Sequence, residues 1–374
     1  MLVIFPAQLL PFTVIAIYGI VALGITTSYI ITKLKFKELL NFPFIVFGLL
    51  VILSLINYRR GNITERDMSQ CVLHYWSLAL LYDLMMIIHK SGRDKEILNT
   101  LLFTFSLYTV INILSVFIIG TNAETNLIYF FGNKFRTSYF VIYYVGLLYA
   151  KHQRILGYNI VKKITYMVFV VIAIIFTLWI TCSTAAVALI FFLAMAVFWR
   201  KESKLIKNPY FIMGCIIASG FIMFIIQALI GLPIVQRVLN LLQEDSTLTG
   251  RTRIYNIYLF PLLERSKLIG FGYGNTAMLR YSLVFGNAQN GMFDFMLNNG
   301  FIGLASYLLL VFTCIRKATA SSDKYPLYLI LFSMILTSVV EVTFGAFMLI
   351  VVFAIRWYET DIETKMNVSH LRCT

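Results

Sequence analysis

The chain has 374 residues, of which 60% are hydrophobic and 13% are charged, and its formal net charge is +14. Soluble domains contain roughly 25% charged residues, so this composition excludes a soluble globular protein and favours a membrane protein. The positive charge is typical of proteins that contact anionic lipid headgroups, and no soluble basic module is present to bind nucleic acid. The five cysteines form no CxxC pair, so neither a disulfide framework nor a metal site is indicated.

Apolar runs of about 17–25 residues indicate transmembrane helices, and hydropathy predicts about 11 of them, with a range of roughly 10–12. They cover residues 8–31, 40–57, 71–88, 97–120, 138–150, 164–181, 184–199, 209–230, 301–315, 327–342 and 344–356. The apolar run 164–199 is too long for one crossing, so we split it at Thr181–Ser183. The first span has no basic region before it and is expected to be retained. We therefore predict an all-α polytopic membrane protein in which residues 1–374 form a single integral membrane domain.

The charges of the loops predict how these spans are oriented. Alternating loops divide the lysines and arginines into two sets, with 20 in one set and 11 in the other. Because cytoplasmic loops carry the excess of positive charge, we expect the larger set to be cytoplasmic. The 121–138 loop and the long 231–300 loop then lie outside, together with the N-terminus.

The 231–300 loop is the only long polar interruption in this apolar chain. It holds six lysines and arginines against four acidic residues. Loops outside the cytoplasm normally carry few lysines and arginines, so this excess of positive charge needs an explanation. We interpret the loop as an extracytoplasmic catalytic loop that contains short helices. The alternative is a solvated loop that touches lipid headgroups.

The strongest anion-binding pattern lies in the middle of this loop. A threonine just before Arg251 can cap a helix that runs to Phe260, where Pro261 would limit it. Arg251 and Arg253 would then lie in the first helical turn, where the helix dipole disfavours cations unless an anion binds there. Because guanidinium forks match phosphate geometry, we predict that both arginines bind a phosphate group.

Two further motifs of the long loop suit a saccharide or phosphate ligand. Gly270, Gly272 and Gly274 do not form a dinucleotide-binding site, because no strand precedes them. They instead indicate a tight turn whose backbone approaches a sugar or phosphate, and a flexible loop is the alternative. Gln289 and Asn290 can bond sugar hydroxyls, although ordinary interfacial polarity explains them equally well.

The 121–138 loop holds a second pair of cations, Lys134 and Arg136, which we predict to meet the same anion from the opposite side. A general base, if the reaction uses one, would be Asp294, Glu264 or Glu341, in that order. These assignments complete the candidate site.

Several short motifs occur in one order along the chain. They are Thr249-Gly-Arg-Thr-x-Ile-Tyr255, the Gly270-x-Gly-x-Gly274 turn, the pair Gln289-Asn290 and Gly300-x-Ile-Gly303, with Gly132-Asn-Lys134 and Thr181-Cys-Ser-Thr-Ala-Ala186 before them. In this order and in its span layout, the chain resembles the O-antigen polymerase and ligase superfamily. Two positions depart from the family pattern: Gln289 stands where members often carry histidine, and Thr184 stands where an arginine is expected after Ser183.

The resemblance implies a membrane glycosyltransferase of the bacterial cytoplasmic (inner) membrane. Its substrate would be a polyprenyl-pyrophosphate-linked oligosaccharide, polymerised into an O-antigen of lipopolysaccharide, a capsule or an exopolysaccharide. Arg251, then Arg253 and Arg136, would neutralise the departing pyrophosphate, so we expect no cofactor and no metal. Expected partners are membrane lipid and a chain-length regulator and flippase of the same pathway, and no nucleic acid.

Three functions remain open within this architecture. Ligases of the superfamily depend on a histidine, and the predicted topology places none outside, since His74 lies within a span. This absence favours a polymerase over a ligase that transfers glycan to a lipid core or protein. A glycan transporter or flippase would carry charges buried along a pathway between helices, whereas here the charges cluster in the outer loops.

Overall fold

The structure is a computed structural model that describes residues 12–121, 127–198, 203–229, 232–233, 236–237, 254–283, 286–318 and 321–359. These residues are predominantly helical, and apart from one isolated bridge between Tyr129 and Gly132 they contain no β-structure. The all-α fold class expected from the sequence is thus confirmed for the described part of the chain.

The helices have the following bounds. In chain order they are α1 (Phe12–Lys33), α2 (Phe36–Leu39), α3 (Phe42–Arg59), α4 (Glu65–Lys90), α5 (Asp94–Ile119), α6 (Lys134–Tyr158), α7 (Ile160–Trp179), α8 (Ser183–Phe198), α9 (Lys204–Lys207), α10 (Pro209–Leu229), α11 (Phe260–Arg265), α12 (Ala277–Ser282), α13 (Gly291–Arg316), α14 (Tyr325–Thr337) and α15 (Ala346–Trp357). A π-helix covers Ile254–Leu259, and a 3-10 turn covers Ser322–Lys324.

Five of these helices, α3, α4, α5, α7 and α13, are long and apolar enough to cross a membrane. Shorter apolar helices cover Ile17–Lys33, Ser183–Phe198, Pro209–Ile222, Tyr325–Thr337 and Ala346–Trp357. The chain therefore has the length and composition of a multi-pass membrane protein. The total of about eleven spans stays a prediction.

The predicted split of the 164–199 run is confirmed. Helix α7 ends at Trp179 and α8 begins at Ser183, and Thr181 between them adopts a positive φ of 58°. A non-glycine residue in this left-handed region breaks the helical path, so one long apolar run becomes two separate helices.

The predicted helix from Arg251 to Phe260 is helical over its described residues, from Ile254 onward, but its predicted end at Pro261 is wrong. The backbone is π-helical up to Leu259, and an α-helix then begins at Phe260 instead of ending there. Pro261 lies in the first turn of this helix, where the missing N–H costs nothing because that N–H has no partner within the helix. Proline therefore starts α11.

The loops that the charge count assigns to the cytoplasm meet at one end of the bundle. Lys90 Nζ lies 2.5 Å from Glu38 Oε1, the ring of His89 lies 5.3 Å from that of Trp357, and Arg356 donates to a carbonyl of the loop after α13. We call this end, with the loops after α1, α4, α13 and α15, the basic end.

The loops of the smaller charge set lie at the opposite end, which we call the loop end. Here the turn after α7 contacts the start of α6, since Lys134 Nζ donates to Thr181 Oγ1 at 3.1 Å. The end of α3 contacts the 266–276 loop, since Asn57 Nδ2 donates to the Ile269 carbonyl at 3.2 Å. These contacts agree with the predicted division for the loops that they join, while the complete division and the side that each set faces stay predictions.

The centre of the bundle is formed by α14 and α15. Both are short, and nearly all of their side chains are buried. Helix α7 lies at the periphery and exposes apolar side chains such as Val168, Ile172 and Ile175. Because helices satisfy their own backbone hydrogen bonds, an exposed apolar helix of this kind is suited to contact with lipid.

Candidate functional site

Helix α13 is broken near its start, and the glycine-rich part of the long loop is inserted at the break. The break is at Gly300, which has φ 67° and ψ −174°. Four backbone hydrogen bonds of 2.7–3.1 Å join the loop to both sides of the break: Phe271 N–H to Leu297 O, Gly272 N–H to Asn298 O, Phe301 N–H to Lys267 O and Ile302 N–H to Leu268 O. These bonds pair backbone groups that the break would otherwise leave unsatisfied. The loop and the helix therefore form one unit.

The glycines of the loop allow close packing against the protein itself. A Cβ on Gly272 would lie 2.9 Å from Cβ of Asn57, and a Cβ on Gly274 would lie 3.1 Å from Cβ of Asp67. Both glycines adopt positive φ angles, which side-chain-bearing residues rarely do. The expected close approach of backbone to a sugar or phosphate is thus corrected for Gly272 and Gly274: their close contacts are with α3 and α4.

The same loop places Tyr273 against the membrane helices. Its N–H donates to Ser54 Oγ of α3 at 3.2 Å. Its ring lies 5.4 Å from the ring of His74 and 5.7 Å from that of Tyr75, both in α4. The loop therefore brings a tyrosine from the polar segment into contact with two polar aromatic side chains of a long apolar helix.

These side chains line a cavity of about 140 Å³ between α3, α4, α13 and α15. The residues of its wall that carry polar atoms on their side chains are His74, Tyr75, Tyr273, Asp294, Asn298, Asn299 and Tyr307. Leucine, valine and phenylalanine side chains form the rest of the wall. A mostly apolar cavity with a few convergent polar groups is the usual form of a small-molecule site.

Asp294 is the one acidic residue among the residues that line the cavity, and its side chain is only 8% exposed. Its Oδ1 accepts from the Ala288 N–H at 3.1 Å, and its Oδ2 accepts from Asn298 Nδ2 at 3.0 Å. These bonds fix the orientation of the carboxylate, and each oxygen keeps a free lone pair. Asp294 can therefore accept a hydrogen bond or a proton from a ligand in the cavity.

The structure brings a histidine to this site, contrary to expectation. His74 does lie within a helix long enough to cross the membrane, but its ring contacts Tyr273 of the long loop and lines the cavity beside Asp294. It lies roughly 13 Å along the helix from Glu65, at 1.5 Å per residue. Hydropathy predicts that such a residue lies within the membrane, but it does not show that a loop contacts the residue.

Arg136 lies beside the cavity, at the start of α6. Burial raises the pKa of Tyr273 to about 12, and the nearby positive charge of Arg136 acts in the opposite direction. The Nη1 atom of Arg136 is buried, and within the described part of the chain it has no hydrogen-bond partner. A buried guanidinium nitrogen without a partner is costly, and a bound anion would remove that cost.

Lys134 precedes Arg136 in the same first turn, which contains no acidic residue. The lysine is 9% exposed, and its Nζ donates to Thr181 Oγ1 at 3.1 Å. Two cations at a helix N-terminus oppose the helix dipole unless an anion is present. That Lys134 and Arg136 meet the same anion stays a prediction.

Asn290 has a structural role in place of the expected sugar contact. Its side chain is completely buried, and its Oδ1 caps α13 by accepting from the Phe293 N–H at 3.1 Å. Its Nδ2 donates to the carbonyls of Ser219 and Val339 at 3.2 and 3.0 Å. Both amide hydrogens are used, so Asn290 ties three elements together and has no donor left for a ligand.

The remaining predicted residues are dispersed. Gln289 is partly exposed with a positive φ of 48°, and no side-chain contact joins it to the cavity. Glu264 is exposed on α11, outside the lining of the cavity. Glu341 follows α14, where its charge acts on Tyr139 of α6. Of the candidate bases, only Asp294 lines the cavity.

Arg251 and Arg253, the first candidates for phosphate binding, lie outside the described residues. Within the described ranges, no group of three or more histidines, cysteines, aspartates or glutamates is arranged to hold a metal ion. Comparison with protein-family models, with curated proteins and with solved structures found no match.

Proposed function

We propose that this protein is a glycosyltransferase of the bacterial cytoplasmic membrane that polymerises polyprenyl-pyrophosphate-linked oligosaccharide repeat units into a surface polysaccharide. One observation carries the proposal: a buried guanidinium nitrogen of Arg136, which has no hydrogen-bond partner among the described residues, lies beside a cavity that holds a buried carboxylate. Transfer of a sugar from a diphosphate needs a cation for the leaving group and an acceptor for the hydroxyl proton. Both types of group meet at the loop end.

The reaction is a displacement at the anomeric carbon. A hydroxyl oxygen of one lipid-linked unit attacks the anomeric carbon of the sugar on another unit, and a new glycosidic bond forms. The bond from that carbon to the pyrophosphate oxygen breaks, and the polyprenyl pyrophosphate leaves with the electron pair. Asp294 accepts the hydroxyl proton, and Arg136 neutralises the leaving group together with Lys134 and, in the 231–300 loop, Arg251 and Arg253.

The family proposal rests on the ordered motifs of the sequence. The position of the family's motif histidine is Gln289 in this chain, which favours a polymerase over a ligase. His74 comes from α4, far from that motif, and does not replace it in the sequence order. The proposed product is an O-antigen, a capsule or an exopolysaccharide. The proposed partners are a chain-length regulator and a flippase of the same pathway.

Replacing Arg251 by alanine is expected to abolish polymer while single repeat units are still made, because the departing pyrophosphate loses its first cation. The measurement is the length distribution of the surface glycan in a deletion strain that expresses the variant at wild-type level. Long chains of normal abundance would remove Arg251 from the mechanism.

The glycan of the deletion strain separates the rival functions. Loss of a polymerase leaves single repeat units attached to their final acceptor, whereas loss of a ligase leaves long chains on the polyprenyl lipid. Loss of a flippase leaves lipid-linked units inside the cell. Only the first pattern supports polymerisation as the function.

Cysteine labelling tests the orientation on which the proposal depends. In a cysteine-free background, Lys267→Cys at the loop end is expected to react with a membrane-impermeant maleimide in intact spheroplasts. Lys37→Cys at the basic end is expected to react only after permeabilisation, because the positively charged loops face the cytoplasm. Both positions are exposed in the fold. The reverse labelling pattern would place the site in the cytoplasm and contradict the proposal.

A further inference from the structure

We infer that the cavity between α3, α4, α13 and α15 binds one electrically neutral sugar ring of the acceptor, an inference that rests on the proposed glycosyltransferase function. The cavity volume of 140 Å³ decides how much it can hold. An apolar cavity of roughly 150 Å³ holds a single six-membered ring such as benzene. The cavity therefore has room for the ring of one sugar, and the larger substituents of that sugar would extend through the rim at Val342, which is 36% exposed.

The wall of the cavity matches the two kinds of surface that a pyranose presents. Tyr273 and His74 offer aromatic rings on one side, 5.4 Å apart between centroids, and Phe344 adds a third ring to the wall. A pyranose places its C–H groups on its faces, which suit such rings. Its hydroxyls lie around its edge, where they need hydrogen-bond partners.

Those partners are present among the residues that line the cavity. Asp294 Oδ2 accepts from Asn298 Nδ2 at 3.0 Å, and Asn299 Oδ1 accepts from the Tyr75 hydroxyl at 3.3 Å. The carboxylate of Asp294 keeps lone pairs that can accept from a sugar hydroxyl. Asn299 Nδ2 makes one hydrogen bond, to the Phe295 carbonyl at 3.3 Å, and so keeps one amide hydrogen that can donate.

The charge of the wall selects for a neutral sugar. Asp294 is buried, and among the described residues that line the cavity there is no lysine or arginine. A hexuronic acid would bring a second carboxylate into the same poorly solvated space, and like charges there cost free energy. A hexose, a 6-deoxyhexose or an N-acetylhexosamine carries no such charge.

The position of the cavity fits an acceptor more than a donor. The cavity lies next to Arg136, whose charge acts on Tyr273 and on His74 in its wall. The pyrophosphate of the donor would bind at Arg136, and the sugar in the cavity would then present a hydroxyl to Asp294, which lines the same cavity. The residues of the cavity therefore decide which acceptor sugar is accepted.

Saturation-transfer difference NMR on the purified full-length protein in nanodiscs tests this inference. The probes are methyl pyranosides of neutral hexoses, 6-deoxyhexoses and N-acetylhexosamines, with methyl glucuronide as the acidic sugar. We expect at least one neutral glycoside to bind and the glucuronide to give a much weaker signal at pH 7. Absence of binding by every neutral glycoside, or equal binding of the glucuronide, would overturn the inference.

Two variants locate the binding. Tyr273→Ala is expected to weaken the neutral glycoside about tenfold, because it removes an aromatic wall. Val342→Trp fills the cavity from its rim, where Val342 is 36% exposed, and is expected to abolish binding without disturbing the buried core. Tyr281→Ala, outside the cavity and 40% exposed, is the matched control and should bind as the wild type does. Unchanged binding in Val342→Trp would place the sugar elsewhere.

One further variant separates this inference from the proposed function. Arg136→Ala is expected to bind the neutral glycoside as the wild type does, since Arg136 does not line the cavity. A wild-type protein that binds the sugar but makes no polymer from lipid-linked repeat units would retain the cavity assignment and lose the glycosyltransferase. A protein that polymerises repeat units without binding any neutral glycoside would do the reverse.

Discussion

The Arg136→Ala variant is expected to make single repeat units and no long polymer, with a loss of turnover of about 100- to 1,000-fold. This is the usual effect of removing one preorganised group that stabilises charge in a transition state. The effect should be large here because the Nη1 atom of Arg136 is buried, and among the described residues it has no other partner. The measurement is the rate of polyprenyl pyrophosphate release by the purified protein with a lipid-linked repeat unit.

Two other substitutions test whether the loss of turnover is specific to the guanidinium group of Arg136. Arg136→Lys keeps the charge and loses the planar fork that binds a diphosphate through two bonds, so its rate should lie between those of the wild type and the alanine variant. Arg59→Ala removes one positive charge from an exposed position at the same end of the bundle and should retain full activity. Equal losses in Arg59→Ala and Arg136→Ala would show a general effect of surface charge.

Thermal stability distinguishes a binding role for Arg136 from a structural one. If a buried cation is paired within the fold, removing either the cation or its partner destabilises the protein. A buried cation that pairs only with a ligand has no partner in the ligand-free protein, and that unsatisfied state destabilises the protein. The melting temperature of the substrate-free Arg136→Ala protein should therefore equal or exceed that of the wild type, and a clear decrease would contradict the anion-binding role.

The division of the apolar segments into helices was largely predictable from the sequence. Hydropathy and the division at Thr181–Ser183 identified α7 and α8 as separate helices, and the loop charges separated the two ends of the bundle. Both signals are local, because the length of an apolar run and the charge beside it depend on the bilayer and not on tertiary contacts.

The geometry of the site was less predictable because it depends on contacts that are distant in sequence. His74 and Tyr273 are in contact across 199 positions, and nothing near either residue indicates the other. Asn290 was read as a sugar ligand from its residue type, although asparagine before an apolar helix is equally typical of an N-cap. Residue type made both Asp294 and Glu264 candidates for a general base, and only the fold shows that Asp294 lines the cavity whereas Glu264 does not.

The Gly300→Ala variant is expected to lose the loop insertion and with it the site. A Cβ at Gly300 would lie 2.2 Å from the Leu268 carbonyl oxygen and 2.3 Å from its carbon, and backbone atoms cannot swing aside as a flexible side chain can. The positive φ of 67° adds strain for any residue with a side chain. Overpacking alone costs roughly 1–3 kcal/mol, so the loop should leave the break.

A glycine in an unconstrained position supplies the control. Gly48 lies in α3 with nothing within 4 Å of an added Cβ, and Gly48→Ala should be neutral or should stabilise the helix by up to about 1 kcal/mol. The measurements are the folded fraction that remains after heating in detergent and the binding of a neutral methyl glycoside. Because Tyr273 reaches His74 only through the inserted loop, Gly300→Ala should lose the sugar even where most of the helical bundle survives. A Gly300→Ala protein that binds sugar and resists heat as the wild type does would show that the break in α13 does not position the site.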